Sequence, residues 1–268
     1  MKDSDSGSTT LGALVGDLQA AIVFLTRLPP SVVGVEAGGR PDFRRGARAF
    51  PVAGALIGAV GGSVVIGAAI LGLPPLVSAG LAVAATMLLT GGLHEDGLAD
   101  TADSFGGATS ERKLQIMDDS SVGAAGPARP ALVFSVVFRV GGLAAIAEHS
   151  AAAAALALVA AEAVSRAALV RLWHDLPAAR TSGLGRDTGP PDQGAMLVAL
   201  AIAGLIAAVA AVPAVGWRAT ALACFLAALA TYVFIRMTAR TIGGYTGDAL
   251  GACQQVALAA FLIGASAG

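Results

Sequence analysis

The chain has 268 residues, 56% of them hydrophobic and only 13% charged, with a mean hydropathy of +0.75. A soluble domain carries roughly 25% charged residues, so this chain lacks the polar surface to cover a core in water and reads as an integral membrane protein. Its 17 Lys and Arg against 18 Asp and Glu leave no basic excess for a nucleic-acid partner. Cys224 and Cys253 lie in apolar runs, which argues against a disulfide framework.

Residues 1–10 are polar and read as a disordered tail, followed by a single membrane catalytic domain over 11–268. Residues 11–28 form an apolar run interrupted by Asp17 and Gln19, and are expected as an amphipathic helix at the bilayer interface. Five Arg fall between Arg27 and Arg48, which assigns that segment to the cytoplasm by the positive-inside rule. Seven segments then reach the roughly 20 apolar residues that a bilayer core requires: 50–73, 75–93, 130–147, 150–173, 194–215, 218–237 and 248–267. The expected fold is an all-α polytopic helix bundle. In the first span Gly54, Gly58 and Gly62 repeat on one face, as close helix packing in lipid favours. Counting spans puts loops 29–49, 94–129, 174–193 and 238–247 on the cytoplasmic side. Those loops hold Arg112, Lys113, Arg129, Arg180, Arg186 and Arg240, whereas Arg218 is the one basic residue in the outer turns.

The second span is followed by HEDGLADTADS, His94 to Ser104. Asp96, Asp100 and Asp103 are spaced i, i+4, i+7, which points three carboxylates along one helix face. Such a cluster repels itself unless a hard cation joins it, and Mg²⁺ commonly bridges carboxylates to substrate phosphates. Zinc is disfavoured because no second His or Cys lies near His94, which is left as an acid/base or supporting group. Glu95 projects elsewhere and is a candidate outer ligand. Downstream, Asp118, Asp119 and Ser120 lead into Gly123 and Gly126, a pattern that suits a metal or diphosphate but is also ordinary turn chemistry.

Charges also occur inside the spans. Arg139 and Glu162 lie at matching depths in adjacent spans and are expected to form an intramembrane ion pair. Arg166, about two turns from its cytoplasmic helix end, is expected to meet a substrate phosphate. Arg44, Arg45, Arg48, Arg180 and Arg186 are further candidates for that role, although the first three would equally set topology. In GGYTGD the glycines Gly243, Gly244 and Gly247 let backbone approach a phosphate, while Asp248 opens the last helix as a metal ligand or as an N-terminal cap.

HEDGLADTADS, IMDDSSVGAAG, FLTRLP with the Arg-rich run into FPVAGALIG, and GGYTGDALGACQQ together resemble the adenosylcobinamide-GDP ribazoletransferase, or cobalamin synthase, family over residues 22–255. The resemblance implies a magnesium-dependent inner-membrane enzyme that joins adenosylcobinamide-GDP to α-ribazole or its 5′-phosphate and releases GMP. It implicates His94, Glu95, Asp96, Asp100, Asp103, Asp119, Ser120 and Asp248. Asp100, Asp103 and Asp119 are the candidate bases, with the remaining carboxylates holding metal. Asp96, Gly97 and Asp100 also echo the CDP-alcohol phosphotransferases, whose downstream pattern is absent here. A cation transporter is a third reading, but its carboxylates belong at the bilayer midplane rather than at a helix end.

Overall fold

The computed structural model describes residues 6–35, 42–118, 126–180 and 189–267, and among these its regular structure is helical, with one isolated β-bridge. The helices are α1 (Ser6–Leu25), the short α2 (Phe43–Gly46), α3 (Phe50–Ile70), α4 (Pro75–Thr90), α5 (Leu93–Ser104), α6 (Ser110–Asp118), α7 (Ala128–His149), α8 (Ala151–Asp175), α9 (Gln193–Ile206), α10 (Val212–Thr241) and α11 (Gly247–Ala265). Five helical stretches are long and apolar enough to cross a membrane, or six if α4 and α5 are taken as one bent span. The longest stretch runs from Gln193 to Thr241 and breaks at Gly216, whose φ of 83° and ψ of 162° lie outside the helical region. Leu200 and Gly204 of α9 consequently line one groove with Ala228 and Tyr232 of α10, the register of two antiparallel halves.

The glycine ladder of α3 does what its spacing implies. A Cβ on Gly58 would approach Val159 Cα to 2.7 Å and one on Gly62 would reach Ala155 Cβ at 3.0 Å, so α3 and the alanine-rich α8 pack backbone to backbone. Around this pair the Ala-rich faces of α7, α10 and α11 close the apolar core.

α1 extends back through Ser6–Thr10, within the stretch expected as a disordered tail; once the apolar run nucleates a helix, each residue added at its end gains a hydrogen bond at little cost. Asp17, the interruption in that run, is buried and ion-paired to Arg45 and Arg48. Next to this anchor Phe24 stacks on Trp173 at 5.8 Å and lies 5.2 Å from Phe50, and Trp173 meets Tyr245 edge-on at 6.5 Å. One aromatic cluster therefore ties α1, α3, α8 and the loop before α11 together at one end of the bundle. Both cysteines are free.

Candidate active site

The acidic motif is positioned by a break. Gly91 and Gly92 have φ of +65° and +68°, and their N–H groups donate to Leu88 and Met87 carbonyls, closing α4 with a left-handed cap. α5 leaves at 89° to α4 and lies across the end of the bundle. Glu95 and Asp96 fall in its first turn, where acidic side chains suit the positive end of the helix dipole. α5 also crosses α11 at close range. A Cβ on Gly97 would lie 2.7 Å from the Asp248 carbonyl oxygen, and one on Gly251 would lie 3.1 Å from His94 Cα. These glycines explain why the motif reads EDGLAD: only a bare backbone brings Asp248 beside Asp96 and Asp100.

The carboxylates of that crossing differ in environment. Asp96 is exposed, Asp100 and Asp248 are half-buried, and Asp103 is buried. Asp103 Oδ1 accepts the Ala128 N–H at 2.8 Å, capping α7, while Oδ2 has no partner among the described residues. The Asp100 carboxyl is pushed up to about 6, first by burial and then by Asp96, Asp248 and Asp103, with Arg180 opposing. Arg180 Nη2 stands 3.7 Å from Asp248 Oδ2. Arg180 is held there by the isolated bridge, in which Tyr245 N–H donates to the Pro177 carbonyl at 2.8 Å and Ala179 N–H donates to Tyr245 oxygen at 2.9 Å. Gly244 faces the Pro177 carbonyl and leaves no room for a side chain, Gly243 has φ of +77°, and Gly247 has open space around it. Thr246, rather than Asp248, caps α11 by accepting the Ala249 N–H at 3.1 Å.

The structure thus brings together Asp96, Asp100, Asp103, Asp248 and Arg180. Asp119, Ser120 and Arg186 lie outside the described residues, as does the Asp118 side chain. Among the described residues no three His, Cys, Asp or Glu side chains form a group that could hold a metal ion unaided. Mg²⁺ fits nonetheless as an ion bound through one or two carboxylates plus substrate phosphates and water. The mutual repulsion acting on Asp100 and the unpartnered Asp103 oxygen are what a cation would relieve.

Other expectations are corrected. Glu95, a candidate outer ligand, points away from the acidic face as its spacing implies and is engaged elsewhere: it is buried and accepts from Arg139 Nη1 at 2.8 Å and from Gln255 Nε2 at 3.1 Å. The expected Arg139–Glu162 pair does not form. The bend before α5 delivers Glu95 to Arg139, and Glu162 pairs with Arg166 one turn along its own helix. All four charges join His94, Gln254 and Gln255 around a cavity of about 10 Å³. Arg166 is 2% exposed there, so it braces the bundle and does not face a solvent-borne phosphate. His94 is equally buried, with Nε2 unpartnered among the described residues. Arg45 and Arg48 are engaged by Asp17, while Arg44 is exposed and donates to the Pro190 carbonyl at 2.9 Å. Sequence reasoning missed Gln254, Gln255, Ser135 and Ser165. Their signal was polar side chains within apolar spans, which must find partners in lipid.

The family described as cobalamin-5-phosphate synthase matches residues 17–266. The chain belongs to that family. An adenosylcobinamide-GDP ribazoletransferase from Azorhizobium caulinodans is 46% identical over 253 residues, covering 94% of this chain and 95% of that protein. Proteins of the same name from Brucella anthropi and Rhizobium etli are 41% and 46% identical, covering 94% and 90% of this chain and 96% and 92% of theirs. No solved structure matches. As a cobalamin-5-phosphate synthase family member, the chain aligns from the Asp17 anchor to the end of α11, so the match takes in every described part of the acidic crossing. Membership sets aside the CDP-alcohol phosphotransferase and transporter readings.

Proposed function

We propose that the chain is an adenosylcobinamide-GDP ribazoletransferase, moving the phosphocobinamide group to α-ribazole or its 5′-phosphate and releasing GMP. The observation that carries the site is the convergence of Asp96, Asp100, Asp103 and Asp248 with Arg180 at one end of a membrane bundle. In the reaction a ribazole hydroxyl oxygen bonds to the phosphorus nearest cobinamide, and the bond from that phosphorus to the GMP oxygen breaks.

Asp100 is assigned as the group that takes the hydroxyl proton. Its carboxyl, raised to about 6, is ionised at neutral pH yet basic enough to accept a proton. Asp103 is less suited, because one oxygen already holds the start of α7. Arg180 is positioned to meet diphosphate charge beside Asp248. Mg²⁺, if held by Asp96 and Asp248 with substrate phosphates and water, would offset charge on the diphosphate and the departing GMP, leaving Asp100 to take the proton. Asp119 and Ser120 extend the same proposal from the next motif, and His94 supports α5 from beneath.

Seven spans in the inner membrane, with the acidic end toward the cytoplasm, accord with Arg44, Arg45, Arg48, Arg112, Arg129, Arg180 and Arg240 at that end and Arg218 at the other. The assay is nucleotide release by purified protein. GMP formed only when adenosylcobinamide-GDP and α-ribazole are both present supports the proposal; CMP released from a CDP-alcohol in place of that activity would overturn it.

A further inference from the structure

Away from the acidic crossing, a groove of about 900 Å³ opens between α8, α9 and α10. That is the upper end of the roughly 300–1,000 Å³ typical of ligand pockets. Its walls are apolar along the spans and charged only at the end the helices share with α5: Arg171 and Asp175 on α8, Arg236 and Arg240 on α10. Arg171 Nε is bound to Asp175 Oδ2 at 2.6 Å, so that pair is neutral. Arg236 and Arg240 are exposed, sit one turn apart on one face, and carry two positive charges at the mouth with no ion pair among the described residues.

Gly204 lines the wall and is the informative residue. A Cβ on Gly204 would meet nothing within 4 Å, as at Gly67, Gly80 and Gly141, but among these four only Gly204 lines the groove. The groove is therefore open at Gly204, where a larger side chain would project into it.

We infer that this groove is a binding site for one anionic phospholipid, its phosphate on Arg236 and Arg240 and an acyl chain along α9 and α10 past Gly204. The ligand must be amphiphilic, because charge is confined to the mouth and the length of the groove runs with the membrane-embedded helices. It must be anionic, because the mouth has two cations without a counter-charge among the described residues. The inference rests on membrane insertion and is independent of the reaction proposed above.

Native mass spectrometry of the detergent-purified full chain, offered palmitoyl-oleoyl phosphatidylglycerol or phosphatidylcholine, tests it. One phosphatidylglycerol should be retained in preference to phosphatidylcholine. Arg236→Gln/Arg240→Gln should weaken retention about tenfold or more, given two headgroup cations lost. Gly204→Leu, which fills the groove and keeps both arginines, should abolish it with thermal stability kept or raised. Arg218→Gln, at the opposite end, should change nothing. Equal retention of the two lipids, or retention indifferent to both groove variants, would overturn the inference. So would displacement of lipid by excess inorganic phosphate, or a dimer that Gly204→Leu dissociates, since each names a different occupant.

Discussion

Glu95 and Asp96 are neighbours on α5, yet they belong to two charge clusters with opposite surroundings. Glu95 turns inward to Arg139 and Gln255 in a buried pocket to which α4, α5, α7, α8 and α11 each contribute polar side chains. Asp96 turns outward with Asp100 toward Asp248, where carboxylates face one another and Arg180 is the opposing charge. Inside lipid an ionic group persists only when it is paired, so the inner cluster joins α5, α7, α8 and α11. At the end of the bundle, repulsion is tolerable because water screens it, and the uncompensated charge remains available to a ligand.

The largest expected effect separates the clusters by chemistry. Asp100→Asn should lower GMP-forming turnover at least about 100-fold, the scale of a lost acid/base group, with thermal stability in detergent kept or raised. A comparable activity loss accompanied by unfolding would erase the distinction between the clusters. Next, Arg139→Leu should destabilise the protein by about 3–5 kcal/mol by stranding Glu95, and Arg139→Leu/Glu95→Leu should recover part of that loss. Denaturation midpoints of the two variants measure it, and strictly additive losses would deny the pairing.

Gly97 links the clusters, because it lets α5 lie against the Asp248 backbone. Gly97→Ala should cost about 1–3 kcal/mol through overpacking and lower turnover about tenfold or more by moving Asp100 from Asp248. Unchanged values for both would show that the crossing is looser than the 2.7 Å approach implies.

The smallest effect is one of pH. The folded-state value of Asp100, about 6, lies above its ordinary 3.8, so the native protein holds that proton more tightly than the unfolded chain. The resulting stabilisation is fully present below about pH 4 and is lost as pH rises through about 6. In chelator, wild type should therefore lose stability relative to Asp100→Asn across that window, and stability curves that stay parallel would place Asp100 in ordinary solvent.

Much of this was legible in the chain. Helical periodicity put Asp96, Asp100 and Asp103 on one face, and the Gly54, Gly58, Gly62 repeat named a packing seam, because both are local properties of a helix. Arg139 and Glu162 were recognised as charges that needed partners, yet were joined to each other because depth alone constrained them. The true partners followed from a tertiary event, the turn at Gly91 and Gly92, that brings Glu95 beneath the bundle. Asp17 was read as a defect in an apolar run for the same reason: its arginines come from a segment about thirty residues later. The bridge between Pro177–Ala179 and Tyr245, which sets Arg180 beside Asp248, joins loops with no shared sequence pattern.

Divalent-cation binding, followed by electron paramagnetic resonance of added Mn²⁺ with GDP present, tests the division most directly. Wild type and Arg139→Leu/Glu95→Leu should bind the ion, whereas Asp96→Asn/Asp100→Asn should lose it. Binding that survives Asp96→Asn/Asp100→Asn, or that is lost when the buried pair is removed from a protein still folded, would contradict the assignment of the outward face as the site.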